Sequence, residues 1–394
     1  MNGFTYYSPT KVVFGGGSER DAAAEIRAFG GSKVLLVYGG HSAEKSGLLS
    51  RVCRTLEEGG LQYRSIGGVK PNPRLDLAEQ GVKLALEYGA DFLLAVGGGS
   101  VIDTAKAIAL GAAHPETRLW DFWLRKAEPK GSLPVGVILT ISAAGSETSD
   151  SAVLTNQETG EKRGLSTAYN RPRFAFLDPE LTFTLPKYQI ACGVVDIMMH
   201  TLDRYFTPTE GNELTDELAE ALLRVVIRNG PKALEKPDGY QAMSELMWAG
   251  SVSHNGLTGL GALTDFATHQ LGHELSAMFD AAHGASLSTV WGSWAKYCYE
   301  TKPERFARYA RNVWGVSGGE GTEEAALKGI EKTVAYFKSL DMPVDFSSLG
   351  IGVQSKETLR ELADRCVFRG ERKIGHFREL DREDVYRIYR MANH

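Results

Sequence analysis

The chain has 394 residues, enough for two domains at the usual one to two hundred residues each, which excludes a single small module. Hydrophobic residues make up 43% and charged ones 24%, the balance of an ordinary globular protein, so disorder and collagen-like architecture are excluded as well. Lys and Arg number 44 against 49 Asp and Glu, a net charge of -5 with no basic stripe, which argues against a nucleic-acid partner.

In chain order, the N-terminus shows no basic stretch followed by an apolar one, and no run of apolar residues is long enough for a membrane span. Short apolar runs then alternate with helical patterns. KVLLVY (33–38) precedes a helical stretch over 42–59, LQYRSI (61–66) one over 73–89, and DFLLAV (91–96) one over 101–113. Continuously apolar runs mark strands buried on both faces, and their alternation with helices specifies a parallel sheet covered on both sides. Past Pro186 the strand signals stop. The stretches 213–230, 323–340 and 356–368 carry the three-to-four-residue apolar spacing of amphipathic helices. The expected organisation is an α/β domain over 1–185 and an all-α domain over 186–394. The four cysteines, Cys53, Cys192, Cys298 and Cys366, form no CxxC pair, so no zinc knuckle or disulfide framework is expected, and the compartment expected is the cytoplasm.

Glycine is the compositional outlier, 44 residues or about 11% against an average near 7%. The turn Gly97-Gly98-Gly99-Ser100 separates a strand from a helix, where free backbone amides and the helix dipole suit a pyrophosphate. It fits neither GxGxxG nor a P-loop, and a plain tight turn is the simpler alternative. A second turn, Gly39-Gly40-His41-Ser42, closes the first strong strand. Dinucleotide folds commonly hold the ribose hydroxyls there with an acidic residue. Gly39 leaves room for a 2′-phosphate instead, with Ser42 and Lys45 close behind, although an exposed surface turn would read the same way.

Asp196 and His200 lie four residues apart in a helical pattern with apolar neighbours, so both project from one face and can chelate one metal ion. His269 and His273 share another helix face, and His283 follows. Spacing alone leaves all three as candidates for the remaining metal positions. The order HxxxHE differs from HExxH, which disfavours a zinc protease. Hydrogen-bonded core histidines are the simpler alternative, less economical for three of them beside an Asp/His pair.

These features join Ser8-Pro9-Thr10-Lys11 to Phe14-Gly15, Asp103 and Lys106, Thr140 to Gly145-Ser146-Glu147, Leu177-Asp178-Pro179 and His283-Gly284. Together they make the whole chain resemble the iron-containing (group III) alcohol dehydrogenases, especially their NADPH-dependent butanol dehydrogenase and aldehyde reductase branch. The resemblance implies a dehydroquinate synthase-like architecture, with a Rossmann-like dinucleotide-binding domain over 1–185 and a helical metal-binding and substrate domain over 186–394. It also implies a homodimer and hydride transfer between NADP(H) and a primary alcohol/aldehyde pair. It assigns a divalent metal, Fe2+ or alternatively Zn2+, to Asp196, His200, His269 and His283, and leaves His273 as the catalytic residue suited to proton relay. It places Gly97, Gly98, Gly99 and Ser100 at the pyrophosphate, Asp103 towards the nicotinamide, and Thr140, Ser149 and Lys162 along the cofactor groove. Two positions depart from the family pattern: Ala144 replaces a threonine near the cofactor, and Asp203 replaces a glutamate three residues after the first metal histidine. An NAD-dependent polyol dehydrogenase and a dehydroquinate synthase-like lyase share this logic. The lyase would need a dense Lys/Arg cluster, and none lies near His269 to His283.

Overall fold

The computed structural model describes residues 1–394 and forms strands at the three expected runs and at five further segments. They are β1 (Lys11–Phe14), β2 (Lys33–Tyr38), β3 (Gln62–Ile66), β4 (Phe92–Gly97), β5 (Val135–Leu139), β6 (Ser151–Asn156), β7 (Glu161–Ser166) and β8 (Phe174–Leu177). Six build one sheet in the order β1-β8-β5-β4-β2-β3, every pair parallel, while β6 and β7 form a separate antiparallel hairpin. β2 and β4 read as unbroken apolar runs because each face of the sheet has its own core. Leu35, Val37, Leu93 and Ala95 pack with Ile102, Ala105 and Ile108 of the helix Gly99–Ala112. Val34, Leu36, Leu94 and Val96 pack on the opposite face with Ile26, Val52 and Leu56.

The strand order positions the turns. β3 lies on one side of β2 and β4 on the other, so the chain diverges between β2 and β4 at their carboxyl ends, the place where open α/β sheets hold ligands. Tyr38 pairs with Val96, and Gly97 with Leu139, which sets the turns after β2, β4 and β5 side by side along one edge.

The chain resolves into two compact units, Tyr7–Leu185 with Asp238–Ser251, and Met1–Tyr6 with Pro186–Pro237 and Val252–His394. Two segments thus cross the sequence division at 185/186. The excursion at 238–251 has a packing reason: Met247 enters the sheet core, Ser251 Oγ donates to Glu147 Oε1 (2.5 Å), and Thr148 Oγ1 donates to the Ser251 carbonyl (3.0 Å). The stretch 42–59 is two helices, Ser42–Lys45 and Leu48–Glu58, because Gly47 takes a left-handed conformation (φ 73°) between them. The second unit is helical, with an aromatic centre in which Phe206 stacks on Phe306 at 4.2 Å beside the buried Trp291 and Trp294. No helix is long and apolar enough to cross a membrane.

Candidate functional site

In the helical unit, every residue of the helix Lys187–Tyr205 from Gly193 to Tyr205 is buried. A polar group there must find a partner or impose a cost of one to several kcal/mol, on the order of the penalty for an unpaired buried group. Asp196, His200, Asp203 and Arg204 all lie in that stretch. His200 Nδ1 is hydrogen-bonded to the Asp196 main-chain carbonyl (3.0 Å), so its proton sits on Nδ1 and the lone pair on Nε2. Arg204 donates to the His200 carbonyl (2.7 Å) and to His254 Nδ1 (3.0 Å).

The helix Ala267–Phe279 brings His269 and His273, and the helix His283–Cys298 begins on His283. His269 Nδ1 is 2.6 Å from Asp203 Oδ2. Asp196, His200 and His269 each offer a ligand atom within 4.8 Å of the others. His283 joins through the carboxylate, its Nε2 3.7 Å from Asp196 Oδ1, with His269 Nε2 at 3.9 Å from the same oxygen. That oxygen is buried and accepts no hydrogen bond. One anionic oxygen facing three imidazoles, two of them oriented through Nδ1, is a donor set that fits a divalent cation of the iron or zinc type. Asp203 is wholly buried; burial pushes its carboxyl up to about 7, while the His269 amide, Thr268, His200 and Arg204 pull it down. His273, 9% exposed, has its ring centre 5.3 Å from that of His283 and 6.3 Å from that of His269, close to the group but outside the three-residue cluster. His254 escaped the sequence reading. Its ring meets His200 edge-on at 4.1 Å, and only the fold brings it there.

In the sheet unit, the glycines of the turn after β4 are imposed by crowding. A β-carbon on Gly98 would stand 2.0 Å from Ile141 Cγ2, and one on Gly97 2.5 Å from Val101 Cγ2. Gly99 is 3.1 Å from the Ala144 methyl in the same sense, so the departure at Ala144 faces this turn. Ser100 is the second residue of the helix Gly99–Ala112, which Gly98 caps. Thr140 is half-buried beside it, its amide bonded to the Gly97 carbonyl (3.2 Å). The turn after β2 is looser: a β-carbon on Gly39 would make only ordinary contacts with Val101 and Val69, at 3.6 and 3.7 Å, and Gly40 faces open space. Ser42 and Lys45 are exposed, as is Glu44, which pairs with His41 at 3.0 Å.

Asp103 accepts from Ser146 Oγ (2.5 Å) and the Val153 amide (2.9 Å); burial pushes its pKa above the usual carboxylate value against the pull of Lys106. Lys106 is fully buried and donates to the carbonyls of Ser146 (2.7 Å), Ser149 (3.2 Å) and Ser151 (2.7 Å). Burial pushes its amine down to about 8. Ser149, expected along the cofactor groove, is instead buried inside this loop, its Oγ accepting from the Ser151 amide (3.2 Å). Lys162 is buried on the hairpin and donates to Asn72 Oδ1 (2.9 Å).

Family models for iron-containing alcohol dehydrogenase and for the C-terminal part of that family match residues 9–179 and 190–393. The chain is 39% identical to the NADH-dependent butanol dehydrogenase A of Clostridium acetobutylicum and 36% identical to the NADPH-dependent aldehyde reductase YqhD of Escherichia coli, covering 100% of both chains in each case. A crystal structure of NADH-dependent butanol dehydrogenase A from Thermotoga maritima superposes with a TM-score of 0.96 at 36% identity, over 100% of this chain and 99% of that one.

Proposed function

This chain belongs to the iron-containing alcohol dehydrogenase family and is an oxidoreductase of the alcohol/aldehyde class, and from that premise we propose that it reduces primary aldehydes with NADPH. The reaction takes one aldehyde, one NADPH and one proton to one primary alcohol and NADP+. The observation that carries the reading is the buried Asp196 oxygen without a hydrogen bond, facing three imidazoles.

Asp196, His200, His269 and His283 hold the family's divalent metal in this reading, Fe2+ first and Zn2+ as the alternative the same donors suit. Bound there, such an ion would supply Lewis acidity towards the substrate oxygen, and the nicotinamide cofactor would supply the hydride. The remaining work falls to the chain. Asp203 accepts the hydrogen bond from His269 Nδ1–H, which holds the proton on Nδ1 and so keeps the lone pair on Nε2. His273 moves the proton that converts alkoxide to alcohol, acting from a ring nitrogen beside the ligand group. The amides of Gly98, Gly99 and Ser100 bind pyrophosphate at the helix N-terminus. Thr140 stands at the neighbouring strand end, and Asp103 and Lys162 stiffen the loop and hairpin beyond it.

For the cofactor, Gly39 places no carboxylate against a 2′-phosphate, and Gly40, Ser42 and Lys45 offer amide, hydroxyl and ammonium donors. A second reading, NADH, is favoured by the exposed Glu44 in the same short helix, whose negative charge opposes a phosphate there. The test is nicotinamide oxidation by the purified chain with NADPH and NADH over a panel of aldehydes, together with elemental analysis. The proposal expects bound iron or zinc and a higher kcat/KM with NADPH. A preference for NADH would select the second reading, and metal-loaded protein that oxidises neither cofactor with any aldehyde would overturn both.

A further inference from the structure

The helix His283–Cys298 starts on a proposed ligand, and its second residue is a glycine. A β-carbon built on Gly284 would stand 2.2 Å from the main-chain oxygen of Cys192 and 2.7 Å from both its carbonyl carbon and its Cα. All three obstructing atoms are main chain, so no rotamer change clears them. Other glycines around the site differ in kind. Gly272, between His269 and His273, would meet the side chains of Leu287 and Ser286 at 2.7 and 3.0 Å, and Gly292, further along the same helix, would meet Val334 Cγ2 at 2.9 Å. Those neighbours can rotate away.

Cys192 sits four residues before Asp196 on the helix Lys187–Tyr205, one turn and about 6 Å along its axis. Gly284 follows His283 directly. The close main-chain approach and the ligand pair are therefore adjacent steps of one helix-helix contact. We propose that Gly284 is a positioning residue for the metal centre: its bare Cα seats the first turn of the helix on the Cys192 main chain, which sets His283 Nε2 against Asp196. The inference rests on the metal-centre reading above.

An ordinary β-carbon contact needs about 3.4 Å, so alanine would push the start of the helix away by roughly 1 Å, far more than the ±0.2 Å or so that metal-ligand distances tolerate. The other three ligands would keep their places, since neither of their helices carries the added methyl.

The experiment is Zn2+ affinity by chelator competition on the full chain, with thermal melting of the metal-free protein alongside. The variants are Gly284→Ala, Gly292→Ala, Cys192→Ala and His283→Ala. Gly284→Ala should bind Zn2+ about ten- to hundredfold more weakly, the range found when supports of a ligand are disturbed. Gly292→Ala should lower the melting temperature without changing the affinity, which separates positioning from general packing. Cys192→Ala should bind as wild type does, because the contact uses the main chain. Wild-type affinity in Gly284→Ala, or a loss in Cys192→Ala as large as in His283→Ala, would overturn the inference. The Cys192 arm stands even if Gly284→Ala does not fold. Unchanged affinity in His283→Ala would instead overturn the metal-centre reading.

Discussion

Oδ2 of Asp203 lies 2.6 Å from Nδ1 of His269, joining the helices Lys187–Tyr205 and Ala267–Phe279. A histidine that coordinates through Nε2 needs its other nitrogen to keep the proton, and a carboxylate acceptor fixes both tautomer and ring angle. In the proposed metal centre the shorter Asp203 would do the work expected of the longer glutamate at this position. Asp203→Ala should weaken divalent-metal binding by about ten- to hundredfold while leaving the ligand count intact, as losses of such supporting partners do. Chelator competition measures it, and unchanged affinity would show that the contact does not orient His269.

His273 is expected to behave differently from the ligands. Replacing it with alanine should leave the metal content at the wild-type level and reduce turnover by roughly a hundredfold or more, with a changed pH profile, as loss of a general acid does. Elemental analysis beside pH-dependent kinetics separates the cases. Metal lost in His273→Ala and retained in His283→Ala would mean their roles are exchanged.

Gly39→Asp tests the cofactor turn without disturbing the fold, since its β-carbon meets only ordinary contacts. The new carboxylate would face the 2′-phosphate at cost on the order of 1 to 3 kcal/mol, or about ten- to hundredfold in relative kcat/KM. The ratio of kcat/KM for NADPH and NADH with one aldehyde should fall accordingly. A ratio that does not move places the 2′ position elsewhere.

Lys106 gives a stability prediction with a definite sign. Its folded value, about 8, lies below the ordinary 10.5, so between those limits the unfolded chain binds more protons and this group's contribution rises with pH. Relative to Lys106→Met, wild type should therefore gain up to about 3 kcal/mol between pH 8 and pH 10.5, a fully buried shift converted at 1.36 kcal/mol per unit. Parallel denaturant unfolding of the two proteins measures the difference. A gap that narrows as pH rises would contradict the assigned direction.

The parallel sheet was legible because β2 and β4 bury both faces and so read as unbroken apolar runs. The β6–β7 hairpin was not, since EKRGLS is polar on most of its length and draws its order from pairing with SAVLTN and from the 72–74 segment beside it. Asp196 and His200 could be paired from helical spacing alone. Nothing local chose among His269, His273 and His283, nor announced His254, because those approaches come from helices distant in sequence. The burial of Ser149 has a related cause: a hydroxyl in a loop looks available for a ligand from its sequence, whereas here the buried ammonium of Lys106 organises the loop around it.

The central claim, that the Asp196 centre serves aldehyde reduction through a bound divalent ion, is tested most directly by removing and restoring that ion. NADPH oxidation with butanal is followed on the purified chain, on the chelator-stripped chain, and after Fe2+ or Zn2+ is returned to it. Turnover should fall to background in the stripped protein and recover on addition of metal, but should not recover in stripped Asp196→Asn at the same metal concentration. Full turnover in protein shown by elemental analysis to hold no metal would contradict it.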